Sequence, residues 1–147
     1  MAERLVRRPP VVSAAHDLLA TARHDLAEAM VTTVATERYA AAHLAALHTA
    51  AAVLAVRTRP AATKRPRNVW SMLPQVAPEL TEWAAFFAAG AGKRAAAEAG
   101  LSRAVSPREA DDLLRDVQTF LALVETTLGL AHQPVIPHLA PLAHRAS

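Results

Sequence analysis

The sequence predicts an all-α protein, an antiparallel bundle of four to five helices. Hydrophobic residues fill 52% of the 147 positions, and much of that fraction is alanine, the best helix former but a weak core builder. Only 4 glycines are present and aromatic residues make up 4%. Larger apolar side chains recur three or four positions apart over long segments, which is the spacing of amphipathic helices. The length fits one domain with one core.

The first two helices are predicted over residues 13–34 and 37–56. Ser13 is a suitable N-cap for the first helix. Thr36 can cap the second, and Glu37 then lies at the positive end of the helix dipole. Because the second helix is apolar on most of its sides, we expect it at the centre of the bundle or against a second protomer, rather than across a membrane.

A basic segment, RTRPAATKRPR at residues 57–67, follows the second helix. It holds five cations, two prolines and no acidic residue, a pattern typical of a loop. The candidate nucleic-acid-binding residues are these cations: Arg57, Arg59, Lys64, Arg65 and Arg67. Contacts of this kind with a phosphate backbone are salt-dependent and sequence-neutral. The alternative is an ordinary solvated loop.

The third helical segment carries most of the bulky side chains. Asn68 can cap a short helix that Pro74 interrupts, and Pro78 opens the next helix at its first turn. A further helical piece from about residue 93 is expected to end at Gly100, a C′ glycine. The core is expected to take the large aromatic residues of this segment: Trp70, Trp83, Phe86 and Phe87. A ligand pocket among them would need polar groups that the pattern does not indicate.

The fourth helix has the clearest start signal in the chain, the sequence SPRE at Ser106 to Glu109. Serine at the N-cap, proline at N1 and glutamate at N3 predict a capping box. We expect the helix to run from Pro107 to Leu128 and to stop at Gly129. Four acidic residues lie on one exposed side and are expected to pair with Arg108 and Arg115 rather than to bind a cation; they are Glu109, Asp111, Asp112 and Asp116.

Three parts are predicted along the chain. Residues 1–12 form an irregular N-terminal arm, residues 13–129 form the bundle, and residues 130–147 form a flexible tail that contains prolines and histidines. The absence of cysteine excludes disulfides and thiolate sites. The opening sequence MAERLVRRPP has no apolar region of a secretory signal, so we expect a cytoplasmic protein.

The seven histidines do not indicate a metal site. His16 and His24 are eight positions apart, and His43 and His48 are five apart. None of these pairs has the i, i+4 spacing of a helical zinc pair. The chain also has no glycine-rich phosphate loop and no nucleophile motif. We therefore expect neither a metal nor another cofactor.

A family resemblance is carried by three segments: ERYAAAHLAALHTAAAVL, VWSMLPQVAPELTEWAAFFAAGAGKRAAAEAG and READDLLRDVQTFLALVETTLG. They resemble the stand-alone HEPN-like proteins of actinobacteria, and the resemblance covers about residues 13–129. It implies a HEPN-like helical bundle that usually forms a homodimer. Many members of this superfamily are metal-independent ribonucleases, often toxins or parts of RNA-based defence. Others lack the catalytic motif and serve as binding or assembly modules.

The resemblance implies a catalytic pair formed by Arg38 and His43. The family signature is an arginine followed by four to six residues and a histidine, and two protomers bring their copies together at the dimer interface. Histidine can act as an acid or a base near neutral pH, and arginine stabilises charge on a phosphoryl group. Five helical positions correspond to about 140° of rotation, so the two side chains do not share one face. The alternative is that His43 packs beside Tyr39 while Arg38 is solvated.

Two functions follow from this pattern. The favoured one is a non-catalytic or conditionally active HEPN-type helical dimer that binds RNA, another nucleic acid or a protein partner. The alternative is a metal-independent ribonuclease of the toxin or defence type, with Arg38 and His43 as its catalytic residues. Neither function involves a membrane.

Overall fold

The computed structural model describes residues 10–58 and 68–137, and these fold into α-helices without any strand. A short 3₁₀ turn, Pro78–Leu80, precedes the fourth helix. The helices are α1 (Pro10–Val31), α2 (Ala35–Arg57), α3 (Val69–Val76), α4 (Thr81–Ala89), α5 (Ala91–Glu98) and α6 (Pro107–Thr127). Only short breaks separate α3, α4 and α5, so these three short helices together form one segment beside the three long helices α1, α2 and α6. The all-α bundle predicted from the sequence is confirmed.

The central helix of the bundle is α2. It packs along α1 through a tight three-residue connection, and it also contacts α3, α5 and α6. Its alanines are the reason that so many helices can approach it, since a methyl side chain keeps the distance between helix axes small. Those with no exposed surface are Ala42, Ala45, Ala46, Ala50 and Ala52. The central position predicted for this helix is therefore confirmed.

α2 is also long and apolar enough to cross a membrane, and it is the one helix of the described ranges that meets both of these criteria. Half of its most apolar window is buried by the other helices of the bundle. A core helix of a folded domain has the same length and composition, so this property alone does not indicate a membrane protein.

Helix ends follow the predicted capping signals in α3 and α6. The Asn68 side chain accepts a hydrogen bond of 2.8 Å from the backbone N–H of Trp70. Ser106 and Glu109 form the complete capping box, with each side chain accepting from the other residue's backbone N–H. Gly100 and Gly129 have φ values of 81° and 74°, the left-handed conformation of a C′ glycine. Local sequence therefore sets these boundaries.

The first two helices begin differently from the prediction. α1 begins at Pro10 instead of using Ser13 as its N-cap, because proline fits the first turn of a helix. α2 has Val34 as its N-cap, without a side-chain cap, where Thr36 was predicted. The Thr32 hydroxyl instead accepts a hydrogen bond of 3.2 Å from the N–H of Val34 and so orders the turn.

A second difference concerns Pro74, which lies inside α3 and does not interrupt it. Proline removes one backbone hydrogen bond, here the bond to the carbonyl of Trp70. The cap at Asn68 and the burial of Trp70 and Leu73 hold this short helix together. Packing therefore outweighs the local preference of proline.

The bulky core is an aromatic cluster centred on Phe87, which has no exposed surface. Its ring centroid lies 5.1 Å from that of Trp70 and 5.0 Å from that of Phe120. The prediction that Phe86 also lies in the core is wrong, since 47% of this residue is exposed. Consecutive residues on a helix point about 100° apart, and on α4 it is Phe87 that faces the core while Phe86 faces the surface.

The first part of the predicted tail packs on the bundle. We call residues 130–137 the C-terminal strap; Leu130 and Val135 in it contact the core. His132 Nδ1 lies 2.6 Å from an Oε of Glu125, a carboxylate that is only 1% exposed. The other Oε of Glu125 accepts a hydrogen bond of 2.9 Å from Arg23 on α1. Residues 138–147 of the predicted tail, like residues 1–9 of the predicted arm, lie outside the described residues.

Candidate functional site

Arg38 joins the end of α1 to the start of α6. Its Nε donates to the carbonyl of Ala29 at 2.9 Å, and one terminal nitrogen donates to the carbonyl of Thr32 at 2.6 Å. The other terminal nitrogen lies 2.5 Å from a carboxylate oxygen of Asp111. The last carbonyls of a helix lack intrahelical partners and carry the negative end of its dipole. Arg38 therefore caps α1 from the side.

His43 lies on the other side of α2, buried to 1% exposure. Its Nε2 is 2.9 Å from the carbonyl oxygen of Phe87. Because a carbonyl only accepts, Nε2 must carry the hydrogen of this bond. Nδ1 is buried and has no hydrogen-bond partner among the described residues. Burial lowers the pKa of His43, against a smaller opposing effect of the Phe87 carbonyl and with a further decrease from Arg94, and this favours the neutral imidazole.

Within one protomer, Arg38 and His43 have separate surroundings. Arg38 contacts α1 and α6, whereas His43 packs against rings of the aromatic cluster. The ring of His43 stacks beside that of Tyr39, with centroids 6.4 Å apart, and meets the rings of Trp70 and Phe87 edge-on. The structure therefore does not direct the two side chains at a common point, in agreement with their spacing on the helix.

A close approach at Gly90 completes the surroundings of His43. A Cβ atom at this glycine would lie 2.9 Å from the Tyr39 hydroxyl oxygen and 3.5 Å from Cδ2 of His43. Gly90 separates α4 from α5, and its φ of −86° is open to any residue. Glycine is therefore needed here for its small size, because it allows the turn between α4 and α5 to pack closely against α2.

Only Arg57 of the five candidate nucleic-acid-binding cations lies in the described residues. Its guanidinium donates to Glu79 at 2.8 Å and to the carbonyl of Val76 at 3.2 Å. The pKa of Glu79 is lowered, chiefly by its own backbone N–H and then by Arg57. The remaining candidates, Arg59, Lys64, Arg65 and Arg67, lie outside the described residues.

The acidic side of α6 is largely paired. Asp112 bonds Arg115 and lies 3.8 Å from Arg108, which confirms the pairing predicted for that residue. Asp111 contacts Arg38, and Glu109 forms an ion pair with Lys93 on α5. Asp116 is different, because it forms no ion pair and no side-chain hydrogen bond within residues 10–58 and 68–137.

Asp116 lines a surface cleft of about 310 Å³ together with three residues of α4: Glu82, Trp83 and Phe86. We call this the aromatic–acidic cleft. Burial is the main cause that raises the pKa of Asp116, and the nearby Asp112 raises it further. The sequence did not single out this site. The sequence signal nearest to this site is the pair Phe86–Phe87, because consecutive residues on a helix point about 100° apart and one of the two can therefore lie at the surface.

Two more polar pairs were not predicted from the sequence, because the two residues of each pair lie on different helices. His48 Nδ1 on α2 lies 2.7 Å from a carboxylate oxygen of Asp25 on α1. Burial raises the pKa of Asp25 in spite of this hydrogen bond. The second pair is Glu125 with Arg23. In the described part of the chain, no group of three or more potential ligands is arranged to hold a metal ion.

The fold and these contacts define a compact helical domain built on a central alanine-rich helix. The family model described as HEPN_SAV_6107-like HEPN matches residues 29–125. This match spans most of the bundle, from the end of α1 through nearly all of α6, and includes both Arg38 and His43. The chain belongs to the SAV_6107-like HEPN family. No curated protein and no solved structure matches it.

Proposed function

We propose that this HEPN domain is a non-catalytic binding and assembly module that acts as a homodimer. The observation that carries the proposal is that Arg38 and His43 both have structural partners inside one protomer. Arg38 uses its guanidinium nitrogens on two carbonyls and a carboxylate. His43 donates its single N–H hydrogen, on Nε2, to the backbone carbonyl of Phe87 within the core.

RNA cleavage requires a histidine that can reach the 2′-hydroxyl and an arginine that can reach the phosphate, and these structural contacts occupy both side chains. A general base must reach the 2′-hydroxyl within hydrogen-bond distance, and His43 is 1% exposed. Arginine must direct its donors at the phosphate, and only a quarter of the Arg38 side chain is exposed. The ribonuclease alternative therefore requires a rearrangement on dimerisation that releases both side chains. Such a change would make the domain conditionally active.

Two features support a partner-binding role. The basic segment at residues 57–67 concentrates five cations without an acid, a composition that favours phosphate contacts. On the described surface, Phe86 is a large apolar side chain with 47% exposure, which favours a protein contact. The absence of cysteine in the chain supports a cytoplasmic location for this module.

The proposal is tested by incubating the purified protein with mixed RNA substrates in EDTA. Variants Arg38→Gln and His43→Gln are run in parallel. The matched surface control is Arg103→Gln, at an exposed arginine in the connection between α5 and α6. We expect no cleavage above background in any sample. Cleavage by the wild type and by Arg103→Gln that disappears in both other variants would overturn the proposal and establish the ribonuclease.

The dimer and the nucleic-acid contact need separate measurements. Sedimentation should give twice the monomer mass of 15.6 kDa. RNA affinity should fall with salt, and removal of the cations of the basic segment should reduce that slope; the variant replaces Arg59, Lys64, Arg65 and Arg67 with glutamine. An unchanged slope would mean that the segment is not the phosphate contact.

A further inference from the structure

The aromatic–acidic cleft combines two carboxylates with two aromatic rings. Glu82, Trp83 and Phe86 lie three to four positions apart or adjacent on α4, and Asp116 faces them from α6. The volume of about 310 Å³ is enough for one large side chain. Cations are attracted both to carboxylates and to the faces of aromatic rings.

Neither carboxylate of the cleft forms an ion pair within the described residues. Arg115, the nearest arginine in sequence to Asp116, is bonded to Asp112, and its charge offsets only part of the effect that raises the pKa of Asp116. Glu82 likewise forms no ion pair or hydrogen bond with a side chain in that part of the protein. A half-buried carboxylate without a partner is costly, and burial already raises the pKa of Asp116.

The rings of the cleft are held in place from behind. Trp83 packs on Phe120 and Phe87, with centroid distances of 5.3 Å and 5.9 Å. Phe86 meets Phe87 edge-on at 5.1 Å while 47% of Phe86 remains exposed. A ligand that stacks on these side chains would therefore lose little of its binding energy to ordering them.

We propose that the aromatic–acidic cleft binds the guanidinium group of an arginine on a protein partner, with Asp116 as its counter-ion and Phe86 as its stacking surface. Arginine fits better than lysine because its planar group can stack on a ring and donate two parallel hydrogen bonds to one carboxylate. The inference rests on the proposed partner-binding role of the domain and names the chemistry of that partner.

The test is an NMR titration of the full-length protein with the blocked peptide acetyl-Gly-Arg-Gly-amide. A peptide with citrulline in place of arginine has the same shape without the charge and is the matched ligand control. We expect the amide signals around Phe86 and Asp116 to shift on addition of the arginine peptide, with affinity about tenfold weaker for citrulline, a difference of about 1.4 kcal/mol.

Variants then assign the contact. Asp116→Asn and Phe86→Ala should each weaken binding of the arginine peptide several-fold, whereas Asp17→Asn should not. Asp17 is exposed on α1, so its variant loses the same unit of charge away from the cleft. The spectrum of each variant reports whether it is folded, and Phe86→Leu provides a second variant that keeps the apolar volume but removes the ring.

The inference is overturned if no signal near the cleft shifts, if citrulline binds equally well, or if Asp17→Asn weakens binding as much as Asp116→Asn. If the arginine peptide does not bind but the protein is dimeric and does not cleave RNA, only the arginine-binding inference fails and the proposed function still holds. Cleavage that depends on Arg38 and His43 would instead remove the proposed function, whatever the peptide does.

Discussion

The guanidinium of Arg38 lies 2.5 Å from the carboxylate of Asp111 and thereby connects the start of α2 to the first turns of α6. The same guanidinium bonds two carbonyls at the end of α1. Three helices of the central bundle therefore meet at one side chain. An arginine that matches the family's signature spacing has a clear structural role in this chain.

Replacement of Arg38 should therefore destabilise the domain. Arg38→Gln should lower the free energy of unfolding by about 1–3 kcal/mol, because two helix-end carbonyls and Asp111 lose a charged donor. Lysine has a single nitrogen, so Arg38→Lys should recover only part of the loss. Urea denaturation measures both variants against Arg103→Gln, for which a change within about 0.5 kcal/mol is expected. Equal stability of Arg38→Gln and Arg103→Gln would contradict the structural role.

Stability should fall on mild acidification because of His43. Its pKa is lowered in the folded protein, while the unfolded chain takes up a proton near the ordinary value of 6.5. Between these two values the unfolded state binds more protons, so the free energy of unfolding decreases as pH falls through 6.5. His43→Gln keeps a donor for the Phe87 carbonyl but cannot titrate. Denaturation from pH 7.5 to 5.0 should show a smaller decrease for this variant, and parallel curves would refute the assignment.

Arg38 and His43 show which contacts could not be predicted from the sequence. The capping box at Ser106 and the glycine at Gly100 could be predicted because their partners lie within a few positions. The partner of Arg38 at Asp111 and the partner of His43 at Phe87 are 73 and 44 positions away. Helical spacing predicted that Arg38 and His43 face different directions, but only tertiary packing determines what each side chain meets.

Gly90 and Gly92 should respond oppositely to alanine. Gly90→Ala should cost about 1–2 kcal/mol, because its Cβ would lie 2.9 Å from the Tyr39 hydroxyl oxygen in a packed cluster. Gly92 lies inside α5, and a Cβ added there would have no neighbouring atom within 4 Å, so Gly92→Ala should stabilise by up to about 1 kcal/mol. Thermal unfolding measures both. Tyr39→Phe combined with Gly90→Ala should recover stability, and a cost that persists in this pair would place the clash elsewhere.

The C-terminal strap should open without unfolding the bundle when His132 is replaced. His132 is half exposed, and its bond to Glu125 is one of the contacts that hold the strap. In His132→Ala, hydrogen exchange at the Leu130 amide, which bonds the Glu125 carbonyl at 2.8 Å, should accelerate several-fold. Amides within α2 should be unchanged. Faster exchange throughout the protein would show that the strap belongs to the cooperative core.

The strap and the aromatic–acidic cleft also mark the limits of the sequence prediction. The prolines and histidines of residues 130–147 predicted a flexible tail, yet within the described residues 130–137 Val135 and His132 contact the bundle. Phe86 was expected inside from its apolar character alone. For residues 130–137 and for Phe86, composition alone does not predict the contact, because the contact depends on which faces of neighbouring helices remain uncovered.

The state of the His43 ring tests the structural role of the arginine–histidine pair most directly. NMR of the histidine nitrogens and ring protons across pH 5 to 8 reports the tautomer and the titration of each imidazole. We expect His43 to remain neutral with hydrogen on Nε2 throughout most of this range and to titrate below the ordinary value. Titration of His43 near 6.5, or hydrogen on Nδ1, would show a ring free to exchange protons with solvent or substrate and would contradict this structural role.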